Sequence, residues 1–229
     1  MSVGIETGSK IKIHGTKVDR IYRVLLSKEK SGLTWYRIAK YAEVAYGWAY
    51  QILKVLERKG IIKGHKVKKP RRLFDVWVER PDARMYREYH IQEPKRVLTG
   101  IKMDFAFTGH FAENLMNGYL FPRYYDLYIR HEDALAWHRR MVENGYVGTG
   151  NVRIFLADEH VFFERRKVDG WPTVSVQQLI VDLIREGAEC AEAADLLIKR
   201  FYNKIASEAA KHIGIDVEKY KGVIKGLNK

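Results

Sequence analysis

The sequence predicts an α+β protein in two parts: a domain of three helices and a β-hairpin over residues 1–80, a linker over 81–96, and an α+β domain with C-terminal helices over 97–229. Three observations predict it. Apolar residues in the first third recur at helical spacing and are followed by two short strand-like pieces. Helical and strand-like segments then mix over the rest of the chain, with no repeat or low-complexity tract. The charge is also divided unequally. Residues 1–80 hold 19 Lys+Arg against 7 Asp+Glu, a balance of +12, whereas the remainder holds 22 against 21.

Taking the elements in order, Val18, Ile21, Val24 and Leu25 mark one face of a first helix over Lys17 to Leu26. Ser31-Gly32 breaks the chain, and Thr34 is a good N-cap for a second helix, Trp35 to Tyr41, with Ile38 and Ala39 inward. A turn through Glu43-Val44-Ala45 leads to a third helix, about Tyr46 to Lys59, with Ala49, Ile52, Leu53 and Leu56 as its buried stripe and Gly60 as its stop. Ile61-Ile62-Lys63 and Leu73 to Val78 read as strands, and between them "GHKVKKPRR" forms a strongly basic hairpin tip. The stretch "LTWYRIAKYAEVAYGWAYQILKVLERKGII" resembles the winged helix-turn-helix family. The resemblance implies that Ala39 allows close helix packing, Val44 plugs the core, the third helix enters a major groove, and the basic tip is the wing.

On that reading the third helix exposes Tyr46, Trp48, Tyr50, Gln51, Lys54 and Arg58. Gln51 can pair with adenine through two hydrogen bonds, Tyr46 and Tyr50 can touch phosphate or a thymine methyl, and Lys54 can reach phosphate or guanine. Trp48 can equally pack on the first helix. Thr34, Tyr36 and Arg37 would clamp the backbone. His65, Lys66, Lys68, Lys69, Arg71 and Arg72 would lie along phosphates or reach into a minor groove.

Beyond the proposed linker, with a short helix around Ala83 to Tyr89 as an option within it, the pattern predicts further elements. These are a short helix ending near Ile101, a helix from Thr108 to Asn117, a strand Tyr124 to Ile129 and a helix Glu132 to Asn144. Strands Val152 to Leu156 and Val161 to Phe163 follow. Ser175 with Gln178 suggests a capping box for a helix reaching Glu186. A long helix spans about Glu189 to His212, and Asp216 caps a last one. "TGHFAENLMNGYLFPRYYDLYIR" resembles the start of a nucleotidyltransferase-type fold, in which a glycine turn opens a helix and a strand carries two carboxylates one residue apart. Asp126 matches the first of these, and Tyr128 stands in place of the second. The resemblance thus implies a fold kept without the chemistry, unless Asp104 or Asp158 approaches Asp126.

Together with the "FTG" turn, the "YDLYI" strand, "GWPTVS" and "EAADLL", the chain resembles AbiEi-type antitoxins and regulators of abortive-infection systems. That resemblance implies a transcriptional repressor with no cofactor and a possible toxin partner. The resulting expectation is a sequence-specific double-stranded DNA-binding regulator, dimeric on its site, with a non-catalytic C-terminal domain. The alternatives are a nucleotidyltransferase-like enzyme acting on nucleic acid, and an RNA-binding or plasmid-maintenance factor. No apolar run approaches the roughly 18 residues of a membrane span. Residues Met1 to Lys17 hold no signal core, so a cytoplasmic location is expected. The single cysteine, Cys190, sits among alanines as a small core residue. The scattered histidines, His131 and His138 included, offer no metal spacing, and the Lys-, Arg- and Glu-rich composition suggests a thermophilic source.

Overall fold

A computed structural model describes residues 17–27, 32–80 and 84–202. The expected helix capped by Asp216 and the stretch up to His212 lie outside these residues. The N-terminal elements are α1 (Lys17–Leu25), α2 (Trp35–Tyr41), α3 (Tyr46–Arg58), a two-residue hairpin β1 (Ile62–Lys63) and β2 (Lys66–Val67), and α4 (Pro70–Val78). Ala39, Ala42 and Ala49 are fully buried, so α2 and α3 approach closely. Leu53 and Leu56 fill the space behind them, each worth about 1.5–3 kcal/mol of burial.

Leu73 to Val78, expected as a strand, are helical. Pro70 sits at the start of α4, where its fixed φ suits a first turn. Leu73, Phe74 and Trp77 are buried together, so the i, i+1, i+4 spacing decides against the β-branched composition. Arg71 and Arg72 accordingly belong to α4 and not to a wing.

The rest is a mixed α+β layer. It comprises β3 (Arg84–Ile91), α5 (Pro94–Leu98), β4 (Phe105–Thr108), α6 (Gly109–Met116), β5 (Tyr125–Ile129), α7 (Ala134–Val142), β6 (Gly145–Val147), β7 (Val152–Leu156), β8 (Arg166–Val168), β9 (Trp171–Thr173), α8 (Val176–Glu186) and α9 (Ala188–Tyr202). Seven strands form one sheet in the order β6-β3-β7-β5-β4-β9-β8. The pairs β5/β7 and β4/β9 are parallel and the others antiparallel. The segment expected as a linker thus contains an interior strand. In β3 the charges of "RMYREYHI" hide an alternation whose buried members are Tyr89 and Ile91. Val161 to Phe163 are not a strand either, because the Asp158 side chain accepts from the His160 N–H at 2.8 Å and starts a 3₁₀ turn over Glu159–Phe162. The Ser175–Gln178 capping box does not form; Gln178 instead faces Arg23 and Asp182.

One face of β4 and β5 carries Phe105, Phe107 and Tyr125, which meet Trp137, Phe111 and Trp171 edge-on or tilted at 4.7–5.6 Å. The opposite face, with Thr108, Asp126 and Tyr128, turns toward α8.

The N-terminal helices join the sheet through buried polar groups. Arg23, only 5% exposed, donates to Gln178 Oε1 at 2.7 and 3.0 Å and lies 3.0 Å from His160 Nδ1. His160 Nε2 meets the Tyr41 carbonyl at 2.8 Å, and Arg20 bridges to Asp158 at 2.7 Å.

Burial first, and the Arg23 charge second, push the His160 ring down to about 4 from an ordinary 6.5. Between those values the unfolded chain holds more proton than the folded one, so the contribution is complete above about pH 6.5 and is lost as the pH falls through about 4. We expect up to about 3 kcal/mol to disappear over this window. In urea titrations at a series of pH values, His160→Gln should flatten that part of the profile; an unaltered profile would assign the acid sensitivity to other groups.

Candidate nucleic-acid interface

The face formed by α2, α3 and the hairpin is built from local rules. The Thr34 side chain accepts from the Arg37 N–H at 3.4 Å and caps α2. The turn closes with the Val44 N–H on the Ala39 carbonyl at 3.0 Å, and Val44 packs half-buried on the core. The hairpin is tied to both helices at Gly64. Its N–H donates to Glu57 Oε1 at 3.1 Å, and its carbonyl accepts from Trp35 Nε1 at 2.8 Å. Gly64 has φ of +58°, a conformation that glycine adopts without the Cβ clash of other residues.

On this frame Tyr36, Tyr46 and Tyr50 are 66%, 46% and 42% exposed. Tyr46 lies 6.1 Å from Tyr36 and 6.2 Å from Tyr50, and Tyr50 lies 5.3 Å from Trp35. Gln51, Arg37 and Arg58 are exposed beside them. Trp48 is half-buried against the core. Lys54 pairs with Glu57 at 2.9 Å and stands over the rings of Trp35 and Tyr50 at 5.1 and 5.8 Å. The Glu57 hydrogen bond and charge raise its pKa, so Lys54 braces the face instead of standing free.

His65, Lys66, Lys68, Lys69 and Arg72 are exposed and form no ion pair among the described residues, and the same holds for Arg37 and Arg58. Arg71 is different: it pairs with Asp75 at 3.0 Å and with Asp195 of α9. Lys40, Lys59 and Lys63 are exposed cations on the same elements that the sequence reading did not single out. Their one available signal was the charge density itself. In the sequence Trp35 shows only as the start of a helix, because its bond to Gly64 spans 29 residues.

The Asp126 region shows a different chemistry. Asp126, 2% exposed, accepts two hydrogen bonds from Arg153 at 2.5 and 2.8 Å, the neighbour set opposite it by the parallel register of β5 and β7. Arg153 also pairs with Glu186 at 3.0 Å. Burial works against the Arg153 charge, but Asp126 and Glu186 outweigh it and raise its pKa. His110 Nδ1 lies 3.9 Å from Asp126 Oδ2, and its Nε2 lies 3.5 Å from Cys190 Sγ. Asp126 first, and Cys190 second, lift the His110 ring to about 9.

Gly109 has φ of +58°, and a Cβ there would fall 2.1 Å from Asp126 Oδ2, so this glycine is what lets the carboxylate lie against the turn. The Tyr128 hydroxyl donates to Asp182 at 3.0 Å, and Thr108 also reaches Asp182. All of these except His110 and Cys190 line a cavity of about 80 Å³, room for a few waters. Asp104 and Asp158 do not approach Asp126. Asp104 is bound by Arg130 and Arg165, and Asp158 by Arg20, beyond the opposite end of β5 and β7. No group of three or more His, Cys, Asp or Glu side chains that could hold a metal occurs among the described residues. Nor is any helix among them long and apolar enough to cross a membrane.

Fold and face together define an α+β protein with a seven-stranded mixed sheet and a basic, aromatic helix-and-hairpin surface. Comparison with protein-family models, curated proteins and solved structures gave no match for the chain.

Proposed function

We propose that the protein is a sequence-specific double-stranded DNA-binding transcriptional regulator. In this reading α1 to α3 and the β1/β2 hairpin act as a winged helix-turn-helix, with α3 in the major groove and the hairpin against the phosphates. The observation that carries it is the run of exposed basic side chains along the hairpin and the start of α4. His65, Lys66, Lys68, Lys69 and Arg72 lack carboxylate partners among the described residues, whereas Arg130, Arg153 and Arg165 of the sheet region are paired with them. Localised, unpaired positive charge beside an exposed polar and aromatic helix is the surface a polyanion requires. The antitoxin-type repressor, with a partner or dimer contact on the α+β remainder, is the narrower form of this proposal. Its own test is whether a neighbouring gene encodes a toxin that binds the protein.

Selection of bound duplexes from a random pool tests the central proposal. Gln51→Ala is expected to relax base preference at one position of the selected site by about 1–3 kcal/mol, with the thermal unfolding midpoint unchanged. Identical selected sites for the variant would remove Gln51 from base reading.

Against the enzyme alternative stands the commitment of both Asp126 oxygens to Arg153, which leaves the carboxylate poorly disposed to hold Mg²⁺ on a nucleotide phosphate. Labelled nucleotide with Mg²⁺ or Mn²⁺ is therefore expected not to be incorporated into RNA or protein acceptors. Incorporation abolished by Asp126→Ala would reverse the assignment.

A further inference from the structure

A second cavity lies beside the hairpin. Its volume, about 560 Å³, falls in the range of roughly 300–1,000 Å³ typical of small-molecule sites. The end of α1 supplies Val24 and Leu26, the approach to α2 and its first turns supply Leu33 and Ile38, and β2 supplies Val67. Tyr202 of α9 forms a fixed wall. Its hydroxyl donates to the Leu26 carbonyl at 2.7 Å, and its ring meets Phe74 edge-on at 5.2 Å. The lining is thus aliphatic and aromatic on three sides. On the hairpin side it carries His65, Lys66 and Lys68, and no carboxylate lines it among the described residues.

An uncharged apolar molecule would leave that cationic side without a partner, and a cation would be repelled by it. We infer that this cavity binds a small amphipathic anion, with its apolar body between α1, α2 and Tyr202 and its head group at Lys66 and Lys68. The same two lysines belong to the face proposed for phosphate contact. Resting on that reading of the face, occupancy of the cavity opposes nucleic-acid binding, because one anion displaces the other from shared cations. The ligand half of the inference stands on the cavity alone.

Octanoate and 1-naphthoate serve as probes, compared with 1-octanol and octylammonium at fixed ionic strength, by isothermal titration and thermal unfolding of the full chain. At least one carboxylate is expected to bind saturably and about threefold or more tighter than 1-octanol, the discrimination two partly exposed ion pairs supply. Octylammonium should bind most weakly. Lys66→Ala with Lys68→Ala should bring carboxylate and alcohol to equal affinity, and Val67→Trp, which enlarges a lining side chain, should abolish both.

In the presence of a selected duplex, the carboxylate should weaken DNA binding by the wild type and leave the double variant unaffected. Absence of binding by both carboxylates, or an anion preference that survives in the double variant, overturns the inference. So does sedimentation with phosphatidylglycerol vesicles without binding of free octanoate, which would assign the anion to a bilayer. Carboxylate binding without any DNA binding would uphold the site and reject the DNA proposal, so the two failures are distinguishable.

Discussion

Replacing Arg153 by Leu is expected to destabilise the protein by about 3–5 kcal/mol, the cost of leaving a buried charge without its partner. Asp126 would keep its place against Gly109, 2% exposed, with His110 Nδ1 at 3.9 Å and Arg185 on the same cavity. Arg153→Leu also removes the guanidinium from above the Tyr124 ring, where its carbon stands 4.2 Å from the centroid. Asp126→Asn in the same chain removes the unpaired charge, so the double variant should be more stable than Arg153→Leu alone. Urea denaturation of both single variants and the double variant gives the coupling directly. A loss below about 1 kcal/mol for Arg153→Leu would mean that the pair is solvated and contributes as an exposed ion pair does.

The second large effect concerns binding. Each phosphate contact releases counterions and steepens the fall of log K with log salt by about 0.9. If Lys66, Lys68, Lys69 and Arg72 each meet a phosphate, replacing all four by Ala should make the slope shallower by about 3.6 and weaken binding at 0.1 M salt on the order of a thousandfold. The loss should be nearly equal for every duplex sequence, because phosphates carry no sequence information. Arg71→Ala provides the contrast. Its guanidinium is taken by Asp75 and Asp195, so it should leave the slope unchanged. A salt titration of the three proteins against one selected duplex decides. Equal slopes for wild type and quadruple variant would make these four cations merely solvated surface groups.

Much of the α+β organisation was legible in the chain because its signals are local. The α3 stripe of Ala49, Leu53 and Leu56, the Thr34 cap, the Gly109 turn and the strand around Leu127 each depend on neighbours a few residues away. Where the reading failed, partners distant in sequence or competing local signals decided. Composition favoured a strand at Leu73 to Val78, but the same residues hold a helical spacing that Pro70 starts. The sheet pairs β3 between β6 and β7, yet the charged or polar residues in its sequence "RMYREYHI" give it the look of a linker. Strands of three or four residues, such as β8 and β9, lack the length to show a period.

At the candidate face the exposed cations and tyrosines could be enumerated from charge and helical phase. The confinement of Lys54 by Glu57 lies within one helical turn and was overlooked, whereas that of Arg71 by Asp195 spans 124 residues and had no local trace. The same holds for Asp126. Its partner 27 residues away is chosen by strand register, which sequence does not display.

The attachment of Gly64 to Trp35 and Glu57 ties the hairpin to α2 and α3 as one jaw. The separation between its cations and the exposed side chains of α3 is therefore set before any encounter, and little conformational freedom is surrendered on contact. Such a jaw matches one groove geometry and mismatches another. If α3 enters a groove as proposed, the duplex it requires is B-form, whose major groove is wide enough for a helix. On the same proposal, the deep, narrow groove of an A-form duplex would not admit α3. The clamp at one glycine would thereby sort DNA from duplex RNA by shape, ahead of any base that Gln51 reads.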